Sequence, residues 1–433
     1  MTDNSRSLSE SSLLLARAQG LIPGQSQTMS KGPTQWVQGV APAYLRRGHG
    51  ARVQDVDGTW YLDFPMGLGP IILGHGHEAV NEAIARQLED GITFTLPHPL
   101  EVEVAERIRA VVPAAERVRF AKSGSDATSA AIRVGRAVTG RDRVIVAGYH
   151  GWHDWYIAST SRRRGVPAAT QELVEAVAPW DPAALESALL RHPDEVACVI
   201  IEPIGMREPA EGELQAIVDL VHRHDALAVF DEVISGFRLA PGGAQERYGV
   251  VPDLAAFGKA LGNGMPISAL AGRGDVMDVL EDVFFSGTHG GEALSLAAAA
   301  ATLDVMASEP VHEHLWRLGE RLQAGVREQI ARTRLEDWVS CGGAAPWTLV
   351  SVREPRPGQA SLPAKTLLQQ EMLKRGVLFN GSNFISYAHS ESDIDEAIDA
   401  YGAAFERLAV ALPDHLEDHL DGPPVAQVFR PVQ

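Results

Sequence analysis

The chain contains the stretch Ala226-Leu227-Ala228-Val229-Phe230-Asp231-Glu232-Val233, followed further along by Leu254-Ala255-Ala256-Phe257-Gly258-Lys259. In each stretch a short apolar run ends beside a polar, chemically active residue. Short apolar runs bounded by turn residues are typical of buried strands in an α/β sheet. Functional groups in such sheets gather at the carboxyl ends of the strands. The sequence therefore predicts that Asp231 and Lys259 lie where two buried strands end.

A lysine and a carboxylate at strand ends are the pair that pyridoxal phosphate requires. A lysine holds the aldehyde of this cofactor as a Schiff base, and a carboxylate keeps its pyridine nitrogen protonated so that the ring accepts carbanion electrons. Taken alone, Asp231 has the simpler interpretation of a helix cap, and Lys259 that of a solvated loop charge. Taken together with the motifs below, they predict a pyridoxal 5'-phosphate enzyme in which both residues are catalytic.

Composition restricts the classes of protein to which the chain can belong. It has 433 residues, 45% of them hydrophobic, which allows a large buried core. Its formal net charge of −18 disfavours nucleic acid and anionic membranes as partners. The two cysteines, Cys198 and Cys341, form neither a disulfide framework nor a metal-ligand pattern. Because the sequence also lacks a signal peptide and a membrane-length apolar run, we expect a cytoplasmic protein.

Strand and helix patterns alternate through the middle of the chain, which predicts an α/β fold with a mainly parallel sheet. Strands are predicted at Val144 to Ala147, Ala197 to Ile201 and Leu227 to Phe230, and Asp57-Gly58 supplies the turn of a β-hairpin. The expected domains are a disordered tail at 1–12, an N-terminal segment at 13–70 that packs with the small domain, a large cofactor-binding α/β domain at 71–310, a C-terminal small α+β domain at 311–410 and a tail at 411–433.

Two loops of small, hydroxyl-bearing residues come directly before helical patterns. Ser123-Gly124-Ser125 precedes one predicted helix, and Thr288 lies before another. Backbone N–H groups and the helix dipole at such a start attract a phosphate, and a glycine lets the backbone come close to it. The same residue types also serve as ordinary helix caps. We interpret the first loop as a phosphate contact and Thr288 as a second candidate.

Aromatic and acidic side chains follow two further predicted strands. Tyr149-His150-Gly151-Trp152 stands where a flat cofactor ring could stack, although Trp152 has the alternative of a core aromatic and His150 that of a half-buried histidine. Glu202 is either a hydrogen-bonding site residue or a structural turn acid. His150 and His153 have no further ligand nearby, so we expect no metal.

Together these segments resemble the class III pyridoxal phosphate aminotransferases of fold type I, which have a large domain with a mainly parallel sheet and a smaller α+β domain. The resemblance is strongest to the branch similar to glutamate-1-semialdehyde aminomutase, and it spans roughly Leu14 to Ala400. Its anchors are Trp60-Tyr61-Leu62-Asp63-Phe64, Ser123-Gly124-Ser125-Asp126-Ala127, Tyr149-His150-Gly151, Phe230-Asp231-Glu232-Val233, Gly236-Phe237-Arg238, Gly243-Ala244-Gln245-Glu246, Pro252-Asp253-Leu254 and Phe257-Gly258-Lys259.

The resemblance implies a role for most of the candidate residues. Lys259 would bind the cofactor as a Schiff base and later move a proton between substrate and cofactor, while Asp231 would pair with the pyridine nitrogen. Val233 would pack behind the ring and Tyr149 against its other face. Glu202 matches an acid near the ring and the substrate.

The resemblance also implies contacts to the cofactor phosphate and a partner. Gly124 and Ser125 would lie at the phosphate. Thr288 matches a residue that reaches the phosphate of the neighbouring subunit in this family. A homodimer with shared active sites is therefore implied.

At the substrate end the chain departs from the aminomutase pattern. Lys31 lies in the segment that replaces the family's substrate-carboxylate arginine, and lysine cannot make the same planar bidentate contact. The segment between Tyr156 and Trp180 is shorter than the aminomutase's gating loop and carries Arg162 to Arg164, either a solvated cluster or a contact to an anionic substrate. Asn380 to His389 places uncharged polar residues where the aminomutase has an acidic one.

These departures favour an aminotransferase that moves an amino group from an amino acid, such as glutamate, to a keto or aldehyde group of a sugar-like, aminocyclitol or aminoglycoside acceptor. The two half-reactions would pass through pyridoxamine phosphate, and the preference for arginine over lysine is compatible with an antibiotic pathway in a GC-rich bacterium. The alternatives are glutamate-1-semialdehyde 2,1-aminomutase itself, an amine or β-amino acid transaminase, and a catalytically silent family member. Substrate contacts are expected from Lys31, Trp152, Arg162, Asn383 and Tyr387.

Overall fold

The computed structural model describes residues 7–353, 361–412 and 415–426. The helices are α1 (Ser9–Gln19), α2 (Glu78–Asp90), α3 (Pro99–Val111), α4 (Gly124–Thr139), α5 (Asp154–Ile157), α6 (Ala168–Glu172), α7 (Pro182–Arg191), α8 (Glu213–His222), α9 (Gly243–Tyr248), α10 (Gly274–Met277), α11 (Ala293–Ser308), α12 (Val311–Thr333), α13 (Leu362–Lys374) and α14 (Glu391–Ala411). The strands are β1 (Leu45–His49), β2 (Arg52–Asp55), β3 (Trp60–Asp63), β4 (Arg117–Ala121), β5 (Arg143–Ala147), β6 (Val174–Ala176), β7 (Val196–Ile201), β8 (Leu227–Glu232), β9 (Leu254–Phe257), β10 (Ser268–Gly272), β11 (Val339–Gly342), β12 (Trp347–Val352), β13 (Val377–Leu378) and β14 (Ser382–Phe384).

The described residues divide into two compact units. The small unit comprises 7–68, 72–77 and 313–426, and the large unit comprises 69–71 and 78–312. The sequence placed the corresponding boundaries at 70 and 310, a few residues before the positions where the contacts change from one unit to the other.

A seven-stranded sheet in the order β4-β10-β9-β8-β7-β5-β6 forms the centre of the large unit. Neighbouring strands from β9 to β6 are parallel, whereas β10 is antiparallel to both β9 and β4. This arrangement confirms the predicted α/β fold with a mainly parallel sheet. It places β8 between β7 and β9, so the strand that carries Asp231 has neighbours on both sides.

The apolar strands of the large unit are covered by helices. All residues of β7 and β9 are buried, as their near-continuous apolar sequences predict. Helix α4 packs against β7, β9 and β10. At Gly135 of α4, an added Cβ would lie 3.1 Å from Cys198 Sγ, so glycine allows the helix to approach the sheet closely. Within the described residues no single helix is both long and apolar enough to cross a membrane, and α11 and α12 meet the two requirements only when they are taken together as a bent pair.

The small unit contains two sheets and the packed pair of α13 and α14. One sheet has the order β1-β2-β3-β13, with β13 parallel to β3, and the other has the order β11-β12-β14. Strands β2 and β3 pair antiparallel across Asp57-Gly58, which confirms the predicted hairpin.

The structure corrects the expected N-terminal tail at 1–12. Residues 1–6 lie outside the described residues, but α1 begins at Ser9. Asp57 caps this helix from a distance, because its carboxylate oxygens accept hydrogen bonds from the backbone N–H groups of Glu10, at 2.8 Å, and Ser11, at 3.0 Å. A cap supplied by a residue so far along the chain leaves no signal in the helix sequence itself.

The structure also corrects the expected C-terminal tail at 411–433. Residues 413–414 and 427–433 lie outside the described residues, whereas 415–426 belong to the small unit. The backbone N–H of Val425 donates to Thr366 Oγ1 at 2.9 Å, and that of Asp421 donates to Gln370 Oε1 at 2.8 Å. Polar side chains of α13 thus bind this segment through its backbone, although its composition predicts a tail.

Candidate active site

Asp231 and Lys259 lie at the ends of adjacent parallel strands in the large unit. Asp231 is the residue before the last in β8, and it pairs with Ala256 of the parallel strand β9. Lys259 follows the end of β9 at Phe257. The parallel pairing therefore brings the two candidate catalytic residues to the carboxyl edge of the sheet.

The carboxylate of Asp231 is buried and receives two hydrogen bonds. His150 Nδ1 lies 2.8 Å from Asp231 Oδ2, and the backbone N–H of Val233 donates to Oδ1 at 3.1 Å. His150 Nε2 is buried and has no hydrogen-bond partner among the described residues. Because a carboxylate oxygen only accepts hydrogen bonds, His150 Nδ1 is the donor to Asp231 Oδ2.

Lys259 is a half-buried lysine in an uncommon backbone conformation. Its φ of 41° lies in the left-handed region, which a residue with a side chain rarely adopts. Its amine forms no hydrogen bond or ion pair within the described residues. Burial lowers the pKa of Lys259 to about 8, although the negative charges of Asp231 and Glu202 oppose this change. The site therefore holds an amine that is partly neutral near physiological pH.

Glu202 stands beside these two residues at the end of β7. Its Oε2 accepts a hydrogen bond from the backbone N–H of Tyr149 at 2.8 Å. Burial, followed by the negative charge of Asp231, raises the pKa of Glu202 to about 7. Of the two interpretations open from sequence, the structure favours a hydrogen-bonding residue in the electrostatic environment of Asp231 and Lys259.

The turn Ser123-Gly124-Ser125 opens α4 next to Val233. Ser123 is the N-cap of this helix, and its hydroxyl accepts from the backbone N–H of Asp126 at 3.2 Å. A Cβ added at Gly124 would lie 2.8 Å from a methyl carbon of Val233, so the turn requires glycine here. The hydroxyl of Ser125 accepts from the backbone N–H of Trp152 at 3.3 Å. The structure thus brings together this turn, Val233 and the aromatic segment.

The aromatic residues after β5 separate into buried and exposed groups. Trp155 and Tyr156 are buried in the core, with the hydroxyl of Tyr156 donating to the carbonyl oxygen of Gly148 at 2.9 Å. Tyr149 is half exposed, and its ring meets the edge of Tyr156 at a centroid distance of 5.6 Å. Trp152 is 68% exposed, which excludes the core alternative for this residue.

Two other predicted contacts of the large unit lie on exposed segments. Thr288 is exposed in the loop before α11, and its hydroxyl forms no hydrogen bond within the described residues. Arg162 is also exposed, and its backbone N–H donates to Thr160 Oγ1 at 3.2 Å.

The three remaining predicted substrate contacts belong to the small unit. Lys31 is exposed and lines a cavity of about 790 Å³. Tyr387 is half-buried, with the ring of His314 at a centroid distance of 5.1 Å. Asn383 is fully buried: its amide donates to the Thr348 carbonyl oxygen at 3.2 Å and accepts from the Tyr401 hydroxyl at 2.8 Å. The Asn383 amide serves the packing of the small unit, contrary to its expected role as a substrate contact.

Arg238 is a charged residue near the site for which the sequence suggested no role. It is fully buried, and its Nη2 donates to the carbonyl oxygen of Gly69 at 2.8 Å. Burial lowers the pKa of Arg238 to about 9, and its positive charge helps to lower the pKa of Lys259. The run Gly236-Phe237-Arg238, which contributes to the family resemblance, was the only sign in the sequence that Arg238 could matter. The sequence does not show that its side chain is buried.

This group of residues fits pyridoxal phosphate. Asp231 is a buried carboxylate to which no lysine or arginine is bonded within the described residues, so a protonated pyridine nitrogen would supply its missing cation. Lys259 offers an amine that has no hydrogen-bond or ion-pair partner among the residues that the structure describes. The start of α4 at Gly124 offers backbone N–H groups and a helix dipole for a phosphate.

Comparisons with known proteins agree with this geometry. Residues 35–378 match the model of the family described as aminotransferase class-III. A glutamate-1-semialdehyde 2,1-aminomutase from Methanocella arvoryzae is 37% identical over 386 residues, which cover 83% of this chain and 91% of the relative.

Two solved structures extend the similarity to the whole fold. One is a transaminase with PLP bound, which is 28% identical and has a TM-score of 0.86 over 94% of this chain and all of that one. The other is a glutamate-1-semialdehyde-aminomutase from Pseudomonas aeruginosa PAO1, 26% identical with a TM-score of 0.81 over 92% of this chain and 94% of that one. Since the family model covers most of the chain, and a lysine and a buried aspartate lie at the carboxyl ends of adjacent strands in a fold shared with such enzymes, the chain belongs to the class-III aminotransferases, pyridoxal-phosphate-dependent enzymes of fold type I.

Proposed function

We propose that the chain catalyses the 2,1-aminomutase reaction of glutamate-1-semialdehyde, in which an amino group moves between two carbons of one carbon skeleton. The observation that carries this proposal is the name of its near-full-length relatives, which include the enzyme from Methanocella arvoryzae and one from Haloquadratum walsbyi that is 33% identical. The sugar-like acceptor favoured by the sequence has no support among these relatives. The aminomutase, which the sequence left as the alternative, is therefore the first candidate.

Lys259 is the proton carrier in this proposal. When bound, pyridoxal phosphate supplies an aldehyde to which amines attach and a ring that accepts an electron pair. The Lys259 amine would hold this aldehyde until a substrate amine displaces it. Because burial lowers its pKa to about 8, a useful fraction of the released amine is neutral and can accept a proton from the substrate carbon.

Asp231 and Glu202 would have different electrostatic roles in this reaction. The anionic Asp231 would keep the ring nitrogen protonated, and the donated hydrogen bond from His150 holds the carboxylate in position. Glu202, whose pKa is raised to about 7, is protonated in part at neutral pH and can donate a hydrogen bond to a neighbouring oxygen.

The test is turnover of glutamate-1-semialdehyde by the purified holoenzyme with no added amino donor. The aminomutase proposal requires 5-aminolevulinate to form over many turnovers, because the cofactor returns to its starting form in every cycle. Lys259→Ala should lose this activity. Consumption of only one equivalent of substrate, with further turnover dependent on an added amino acid, would contradict the proposal.

The second candidate is an aminotransferase with separate donor and acceptor, the acceptor being a sugar-like ketone or aldehyde. It is favoured by Lys31 at the place of the carboxylate-binding arginine, and by a TM-score that is higher for the transaminase than for the aminomutase. The buried Asn383 removes one of its expected contacts. Protein converted to the amino form with glutamate should then regain the visible absorbance of its lysine-bound cofactor when keto-sugars are added.

A homodimer with shared active sites forms part of either proposal. Its support in this chain is Thr288, an exposed hydroxyl on a loop and hence available to the phosphate of a second copy. Light scattering of the holoenzyme tests the dimer, and a monomer with full activity would exclude shared sites.

A further inference from the structure

Lys122 and Glu292 form an ion pair that connects two segments proposed to contact phosphate. Lys122 lies between the end of β4 and the turn Ser123-Gly124-Ser125, and Glu292 ends the loop that carries Thr288. Their Nζ and Oε2 atoms are 2.9 Å apart, and the side chains are only 23% and 12% exposed. An ion pair shielded to this degree is screened less by salt than a surface pair.

Glu292 is tied to its own helix as well as to Lys122. As the N-cap of α11, it accepts hydrogen bonds from the backbone N–H of Leu294 at 2.6 Å and from the hydroxyl of Ser295 at 2.6 Å. Burial acts to raise its pKa, but the hydrogen bonds from Ser295 and Lys122 outweigh it and leave the pKa below the ordinary value. The carboxylate is thus a fixed, ionised point at the end of the loop.

The other end of the same loop is held by β4. We name residues 285–292 the Thr288 loop. Arg119 Nη2, from β4, donates to the carbonyl oxygen of Phe285 at 2.9 Å. Arg119 therefore binds the first residue of the loop, and Lys122 binds the last, Glu292. β4 is the edge strand of the seven-stranded sheet. Between these two ends, Thr288 remains exposed.

We propose that Lys122 and Glu292 are a positioning pair that holds Thr288 in place to contact the cofactor phosphate of a second copy. The same pair fixes the backbone just before the turn Ser123-Gly124-Ser125, which we call the phosphate turn, in its own copy. This inference rests on the proposed cofactor sites and dimer. Its consequence is that loss of the Lys122 charge weakens cofactor binding although Lys122 itself is not assigned to the phosphate.

The test is the dissociation constant of pyridoxal phosphate, measured by titrating the apo-protein and following protein fluorescence. For Lys122→Met we expect binding about 10-fold weaker, the scale of one lost charge-assisted hydrogen bond. Lys122→Arg retains the cation and should bind within about 2-fold of the wild type. Arg117→Met is the matched control, because it removes an exposed ion pair with Asp278 from β4, the strand that precedes Lys122.

Repeating the Lys122→Met measurement in a Thr288→Val protein shows whether Lys122 affects cofactor binding through Thr288 or only through the phosphate turn beside it. Thr288→Val removes the hydroxyl, so adding Lys122→Met to it should weaken binding much less than Lys122→Met does alone. An equal effect in both backgrounds would overturn the proposed transmission to Thr288. Thermal unfolding of each apo-protein identifies variants that lose cofactor merely because they fail to fold.

The outcomes also distinguish this inference from the proposed function. A wild-type protein that binds no pyridoxal phosphate would contradict the proposed function itself. A wild type that binds it tightly, together with a folded Lys122→Met variant that binds it equally well, would overturn only the positioning role.

Discussion

His150 Nδ1 and Asp231 Oδ2 are 2.8 Å apart, and both side chains are buried. The opposite nitrogen of the His150 ring has no partner within the described residues. Because a carboxylate only accepts hydrogen bonds, His150 Nδ1 is the donor in this contact. The hydrogen bond fixes the orientation of the Asp231 carboxylate at the position proposed for the pyridine nitrogen.

Replacing His150 tests this relationship. His150→Leu leaves Asp231 Oδ2 without a donor, and an unpaired buried group of this kind costs about 1–3 kcal/mol. We expect kcat to fall about 10-fold, and His150→Asn to recover part of the loss because its amide can donate. Steady-state kinetics with glutamate or glutamate-1-semialdehyde give the comparison. Full activity of the leucine variant would show that the hydrogen bond has no role in catalysis.

The pKa of Lys259 predicts a pH dependence. Burial lowers this pKa to about 8, so the neutral amine that accepts a proton becomes more abundant as pH rises through that value. The rate of the amino-donor half-reaction, measured by stopped-flow absorbance, should rise with pH and level off above the pKa of Lys259. A rate that decreases over the same range would be inconsistent with Lys259 as the base.

Arg238, which is buried, should influence the pH dependence of the same half-reaction. Its positive charge is one of the causes that lower the pKa of Lys259, so Arg238→Met should move the rising limb to higher pH. Because Arg238 also binds the Gly69 carbonyl oxygen, the variant must first be shown to fold by thermal unfolding. A folded variant with an unchanged profile would contradict electrostatic coupling between the two residues.

Glu202 should reduce the stability of the apo-protein as pH rises from about 4.5 to about 7. Its pKa is raised from 4.5 to about 7, so between these values the folded protein binds a proton that the unfolded chain releases. Stability therefore falls as pH rises through this window. Glu202→Gln should be more stable than the wild type by about 3 kcal/mol above the window and nearly equal to it below, in denaturant unfolding. Glu186→Gln, on the exposed face of α7, is the control and should show no such change.

The contact between Gly124 and Val233 predicts a loss and a rescue. An added Cβ at Gly124 would lie 2.8 Å and 2.9 Å from the two methyl carbons of Val233, so Gly124→Ala must displace the phosphate turn. We expect cofactor binding about 10-fold weaker, with much of it restored when Val233→Ala removes the clash. Equilibrium dialysis of pyridoxal phosphate measures both variants. If the double variant binds worse than Gly124→Ala, steric conflict is not the cause.

The order of strands and helices was largely predictable because its causes are local. Apolar runs of strand length, helix caps and the Asp57-Gly58 turn act over a few residues, and the observed sheet and hairpin follow those patterns. The tails were predicted less well. The capping of α1 by Asp57 and the binding of Val425 by Thr366 each join residues far apart in the chain, and neither segment carries a sign of its partner.

By itself, the sequence determined the chemistry that the chain carries: a lysine and an aspartate that each follow an apolar strand, and a small-residue turn before a helix. Only the tertiary structure decided which side chains share an environment. It turned Arg238 inward, buried the Asn383 amide in hydrogen bonds, and removed enough water from Lys259 and Glu202 to bring both pKa values near neutrality. Desolvation and hydrogen bonding depend on neighbours brought together by folding, and adjacent residues in the sequence do not specify them.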